Sequence, residues 1–169
     1  GPNSPYAAPI AGPLGSAFRR TDPTQLFVSL AHGGPGTGSV GAFTVAADGT
    51  LAPIGTSPFP DFQTATCWVA LSPDQAYLFA TNTGSDSISS FAISSGGSLT
   101  LGSTTVLRGA PGIVAVDLRL SPSGRHLYVV DDHAHAISIL RVKGGTMTEI
   151  AASPVALPPG GAPFGIAIS

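Results

Sequence analysis

The chain has 169 residues, of which only 9% are charged: 7 Lys and Arg against 9 Asp and Glu, a net charge of −2. One lysine, Lys143, and scattered arginines form no basic stripe able to neutralise several phosphates, which argues against nucleic acid and anionic membrane as partners. With 22 Gly and 16 Pro punctuating the chain, an all-helical protein is excluded, while a hydrophobic fraction of 43% suffices for a packed core.

A single cysteine, Cys67, excludes an internal disulfide and a multi-cysteine zinc site and leaves the redox compartment open. The opening Gly1-Pro2-Asn3-Ser4-Pro5 lacks the basic and apolar regions of a secretory signal. Charge-free stretches such as Ser87 to Leu107 are interrupted too often by Ser, Gly and Thr to span a membrane, so the chain reads as soluble.

In chain order, residues 1–14 read as the end of a preceding unit and a connector, since Ser4-Pro5 stands where Ser57-Pro58 and Ser153-Pro154 stand later. Residues 15–60 then form a first unit of four strands, A to D. Strand A falls loosely on Ser16 to Asp22, B on Leu26 to Leu30, and C on Ser39 to Val45; D follows the Asp48-Gly49 turn. Residues 61–109 repeat the pattern with Trp68 to Asp74, Leu78 to Asn82 and Ser87 to Ile93, then a Gly96-Gly97 turn before D. Residues 110–158 repeat it again with Asp117 to Ser123, Leu127 to Asp131 and Ala136 to Val142, then Gly144-Gly145 before D. Short apolar, β-prone runs separated by Asp-Gly and Gly-Gly are hairpin signals, because those dipeptides supply the positive φ that tight turns need. Residues 159–169 end on Gly165 to Ser169, which matches strand A alone.

The B strands begin 52 and then 49 residues apart. Four antiparallel strands at that period are the mark of β-propeller blades. The expected fold is therefore all-β: three complete four-stranded blades plus one extra innermost strand, an incomplete ring. The run Ala70-Leu71-Ser72-Pro73-Asp74, Tyr77 to Asn82 and Asp86-Ser87-Ile88-Ser89-Ser90-Phe91 resembles the blade repeat of the lactonase-family seven-bladed propellers. That family includes bacterial 6-phosphogluconolactonase and the fungal carboxymuconate-lactonising enzymes. The resemblance implies the C-terminal half of such a ring, latched by Gly165 to Ser169, with hydrolysis of a lactone or small cyclic ester as the activity. A non-catalytic propeller used as a ligand-binding or protein-interaction scaffold is the alternative. Three blades cannot close a ring, so the expected partners are the remaining blades or a second copy of the chain, with a small-molecule ligand in the channel.

The chemistry-bearing residues cluster at strand ends. Gly33-Gly34-Pro35-Gly36-Thr37-Gly38-Ser39 imitates a phosphate-binding loop but lacks its lysine and precedes a strand, so it reads as a lengthened B-to-C loop. Asp131, His133 and His135 would share one face of an extended segment and are the candidate ligands for a divalent metal, the competing reading being a polar turn without a cofactor. His32 and Asn82 occupy the corresponding rim in the earlier units. Ser16, Trp68, Asp117 and Gly165 share one position near the start of strand A, with Gln63 just before Trp68. In the family this neighbourhood supplies polar substrate contacts, often His and Arg; the Trp and Asp found here do not reproduce that catalytic set. Asp117 needs a cation beside it, and Arg119 or Arg108 would provide one.

Overall fold

A computed structural model describes residues 5–7 and 11–168, and among them every regular element is a β-strand. The first blade comprises β1 (Pro13–Arg19), β2 (Asp22–Leu30), β3 (Ser39–Val45) and a D strand in two pieces, β4 (Leu51–Pro53) and β5 (Phe59–Pro60). The second comprises β6 (Thr66–Leu71), β7 (Tyr77–Asn82), β8 (Ser87–Ile93) and β9 (Leu99–Val106). The third comprises β10 (Ala115–Leu120), β11 (His126–Asp131), β12 (Ala136–Lys143) and another divided D strand, β13 (Thr146–Glu149) and β14 (Val155–Ala156). Each sheet is an antiparallel meander in sequence order. These are propeller blades, as the repeat implies.

Three details differ from the sequence expectation. Strand β2 starts at Asp22, four residues before Leu26, because β1 and β2 meet through a tight turn pairing Arg19 with Asp22. The other A-to-B turns are longer and are held by Ser72 and Ser121, whose hydroxyls accept the N–H of Tyr77 and His126. The D strands of blades one and three break at Ser57 and Ser153, whose hydroxyls instead accept the N–H of Ala42 and Ile139 on strand C. Finally, Gly165 to Ile168 forms no strand: a strand requires a paired neighbour, and none pairs with this segment among the described residues. Ser169 and Ser4 lie outside the described residues, so the expected strand-D tail at Ser4-Pro5 is described only from Pro5 onward.

The cores lie between the blades. Period-two alternation gives each strand one side chain for each neighbouring sheet. Phe27 and Ala42 of blade one meet Leu78 and Phe91 of blade two in one cluster. Phe79 and Ile88, on the opposite face of blade two, meet Leu118, Leu127, Val129 and Leu140 of blade three in a second. These side chains are fully buried, and each Val, Leu, Ile or Phe among them contributes about 1.5–3 kcal/mol. The outer faces are less covered. On blade three, Ile137 and Ile139 alternate away from the second cluster and stay half-buried, and Val155 opposite Ile137 is 44% exposed. On blade one, Phe18 is 55% exposed, and the Tyr6 ring packs edge-on against Phe43, with centroids 5.2 Å apart.

Arginines clamp the seams. Arg19, 9% exposed, leaves blade one and donates from Nη2 to the Gln75 carbonyl at 3.0 Å. Its Nη1 donates to the Ser94 carbonyl at 2.7 Å and to Gln25 Oε1 at 2.9 Å. Arg108 does the same from blade two to three: it pairs with Glu149 at 3.6 Å and donates to the carbonyls of Ile150, Ala151 and Ser153. Replacing Arg19 by Ala leaves buried acceptors on both blades unsatisfied, and we expect a loss of about 3 kcal/mol in urea unfolding. An unchanged midpoint and slope would show that the clamp contributes nothing.

Candidate functional site

Strands β1, β6 and β10 form the inner wall. Each carries a β-bulge, between Pro13 and Ser16, Thr66 and Val69, and Ala115 and Asp117. After the bulges, Ser16, Val69 and Leu118 oppose the equivalent Val28, Ala80 and Val129, so Trp68 and Asp117 do share one repeat position, but its occupant in blade one is Gly15. The loose sequence alignment places Ser16 there, one residue too late, because it does not allow for the bulge. Bulges re-aim side chains at such rims.

Trp68 is half-buried, and its ring meets Phe164 edge-on, centroids 6.1 Å apart at 84°. Asp117 is 5% exposed. Its Oδ1 accepts from Arg119 Nη1 at 2.9 Å and from the Leu118 N–H at 2.7 Å; its Oδ2 accepts the Ile166 N–H at 3.1 Å. Of the two cations expected for Asp117, Arg119 is the partner and Arg108 serves Glu149 instead. Gly165, the fourth residue of the sequence alignment, is exposed.

Arg119, with 40% of its side chain exposed, faces a groove of about 520 Å³ along the inner strands. Ser16, Arg20, Trp68, Gln75 and Ser121 also line it, and among the described residues no carboxylate or imidazole does. The sequence reading misses Arg20 and Gln75, because it places the opening at the B-to-C end of strand A. The groove extends toward the A-to-B turns, where Gln75 Oε1 accepts the Arg20 N–H at 2.8 Å. The recurring Ser-Pro at those turns was the available signal.

At the other end of the inner wall the candidates separate. Asn82 is fully buried and donates from Nδ2 to the Ser87 and Ser89 hydroxyls at 3.1 and 2.9 Å. The Thr66 hydroxyl lies 3.1 Å from Asn82 Oδ1 and 3.0 Å from Asp61 Oδ2 and donates to one or the other. Gln63 joins the group, its Oε1 accepting from Ser87 at 3.2 Å and its N–H donating to Asp61 at 3.0 Å. Burial pushes the Asp61 carboxyl above its ordinary value, against the pull of these donors. This is a closed polar cluster of blade two and the connector before it, lying against Gly38 of blade one. Asp61, Thr66, Ser87 and Ser89 were not singled out in the sequence, although Ser87 and Ser89 two apart already mark a polar face. Gly38 of the glycine-rich loop belongs here too: its N–H donates to the Gln63 carbonyl at 2.8 Å, and a Cβ there would overlap Thr66 and Asp61.

Asp131, His133 and His135 do not share a face. Strand β11 ends at Asp131, and residues 132–135 close a hairpin turn in which His135 has φ 48°, so extended-chain alternation does not apply. Asp131 is buried, whereas His133, His135 and also His32 are exposed. Among the described residues, no group of three His, Cys, Asp or Glu side chains could hold a metal ion. Cys67 is a free, half-buried thiol.

Asp131 is the register equivalent of Asn82, but Ala115 replaces Thr66 and Ala136 replaces Ser87. Its Oδ2 accepts from Ser138 at 2.7 Å, and its buried Oδ1 has no hydrogen-bond donor among the described residues. Burial pushes its carboxyl up to about 6; the Ser138 bond opposes this, and the charges of Glu149 and Asp86 add to it. The folded protein therefore holds a proton that the unfolded chain releases near 3.8. The associated stability is complete below the unfolded value and lost as pH rises through about 6. Asp131→Asn, copying Asn82, is expected to raise stability by about 1–3 kcal/mol at pH 7 and to bring little gain at pH 4. Denaturant titrations at the two pH values check this, and a gain independent of pH would contradict it.

Antiparallel four-stranded blades with bulged inner strands around a shared groove define a segment of a β-propeller. Residues 37–160, well over half of the chain, match the family Lactonase, 7-bladed beta-propeller, and the chain belongs to that family. No curated protein matches it. Among solved structures, a protein from Bacteroides fragilis described as a candidate 6-phosphogluconolactonase is 26% identical, with a TM-score of 0.70 over 89% of this chain and 42% of that one. A second such candidate, from Bacteroides uniformis, gives 17% identity and a TM-score of 0.78 over 93% of this chain and 44% of that one. The periplasmic gluconolactonase of Pseudomonas aeruginosa gives 22% and 0.68 over 90% of this chain and 44% of that one, a likeness of fold. The chain thus spans less than half the length of each of these structures. No helix among the described residues is long and apolar enough to cross a membrane.

Proposed function

We propose that the three blades form part of the wall of a lactonase-type propeller that hydrolyses a lactone or small cyclic ester in its channel. The observation that carries this reading is the Arg119 guanidinium, held by the buried Asp117 and facing a groove beside Trp68, in a chain of the lactonase family. In such a reaction water adds to the ester carbonyl carbon, the carbonyl oxygen takes the negative charge, and the ring carbon–oxygen bond breaks to leave a hydroxy acid. A fixed guanidinium suits both the oxyanion and the carboxylate product, because it offers a planar fork of donors in a partly desolvated place. Trp68 offers a flat apolar surface for the sugar-like ring.

The group that activates water comes, in this reading, from blades beyond these three, since neither imidazole nor carboxylate lines the groove. That same lack favours the second reading, a propeller that binds its ligand or a protein partner without turning it over. Those further blades belong to the complete propeller or to a second copy of the chain.

Hydrolysis of a sugar δ-lactone by the complete propeller separates the readings. We expect turnover, with kcat/KM reduced about 10- to 100-fold in Arg119→Met and in Trp68→Ala. Wild-type rates in both variants would remove the groove from the mechanism, and saturable binding without turnover would favour the scaffold.

A further inference from the structure

From blades one and two a hydroxyl at the end of strand B or in the turn after it reaches the innermost strand of the following blade, and the contact made from blade three differs in kind. The Ser29 hydroxyl donates to the Cys67 carbonyl of β6, and the Thr83 hydroxyl donates to the Ala115 carbonyl of β10 at 2.8 Å. After blade three the contact is made by a carboxylate: Asp117 Oδ2 accepts the N–H of Ile166, in the segment whose sequence matches the next innermost strand.

The bulges show the same substitution. In blades one and two the bulge is supported by a hydroxyl from strand B: Ser29 accepts the Gly15 N–H and Thr81 accepts the Trp68 N–H, both at 2.9 Å. The register equivalent in blade three is Val130, which has no hydroxyl. There the Asp117 carboxylate takes the Leu118 N–H itself and, on the same oxygen, holds Arg119 Nη1. One buried carboxylate therefore serves the bulge, the following segment at Ile166 and the only guanidinium that blade three contributes to the groove.

We propose that Asp117 is a positioning residue that fixes the Arg119 guanidinium in the groove and ties that position to the docking of the segment Phe164 to Ile168. It rests on the reading of the groove as the ligand site. A carboxylate held by backbone N–H groups on both oxygens cannot follow a moving arginine, so the arginine is pinned and its exposed donors face the groove in one arrangement. Preorganising the fork lowers the cost of seating an anion. With Phe164 to Ile168 undocked, Oδ2 loses its donor and the carboxylate is free to turn. A carboxylate that merely neutralised Arg119 would have the opposite effect, since removing it would strengthen anion binding.

The test uses the whole chain, inorganic phosphate and gluconate as probes, and the fluorescence of Trp68, the one tryptophan in the sequence. We expect saturable binding that weakens about tenfold in Asp117→Asn, which keeps the shape and loses the charge-assisted bond. Arg119→Lys keeps the charge but loses the fork, and we expect a similar loss, which gives a second measure should the first variant fold poorly. Removal of residues 164–169 is expected to weaken probe binding in the same direction. Equal or tighter binding by Asp117→Asn, or no saturable binding by the unaltered chain, would overturn the proposal. Weakened binding in these variants together with no lactone turnover by the complete propeller would support the positioning role and contradict hydrolysis.

Discussion

Everything in this structure depends on the seam between one blade and the next. A four-stranded sheet has two faces, and in blade two both are apolar: Leu78 and Phe91 on one side, Phe79 and Ile88 on the other. Neither face is stable in water, so a blade exists only against its neighbours. This accounts for the 9% charge content, since a chain whose sheets are covered on both faces has little surface left for charge. It also explains where the arginines go. Arg19 and Arg108 are not scattered surface charges but seam clamps, each bonding several carbonyls of the following blade.

The same constraint shapes the groove. Packing blade on blade brings β1, β6 and β10 to a common inner wall, and the bulge in each re-aims one residue there. Which residue arrives is free to vary, and Gly15, Trp68 and Asp117 have little in common beyond position. Chemistry on this wall is thus set by one or two residues per blade, and a segment of three blades carries part of a site. In the proposed function Arg119 and Trp68 are the binding part, with Asp117 behind them.

The blades were legible in the sequence because their signals are local: β-prone pentads, Asp-Gly or Gly-Gly turns, and the recurring Ser-Pro. The shared position of Trp68 and Asp117 followed from the repeat alone, whereas in blade one the bulge puts Gly15 there in place of the aligned Ser16. What escaped notice was non-local or depended on turn geometry. The Asp61, Thr66 and Asn82 group joins residues that come together only when β6 pairs with β7 and the connector before β6 folds over that pair. Asp131, His133 and His135 looked like one face because alternation was carried past the end of β11 into a hairpin turn. Gly165 to Ile168 has a strand sequence without a strand partner, and pairing rather than propensity decides whether a strand forms.

The central claim is that stability resides in the seams, so the three blades should differ although their repeats are alike. Blade two is covered on both faces, whereas blade three leaves Ile137, Ile139 and Val155 partly open. Amide hydrogen exchange on the chain, resolved by strand, tests this most directly. We expect the slowest exchange in β7 and β8, with β11 and β12 exchanging about tenfold or more faster, the ratio for an opening free energy lower by about 1.4 kcal/mol. Equal protection of the paired amides in β7, β8, β11 and β12 would mean that each sheet is held by its own ladder, and would contradict it.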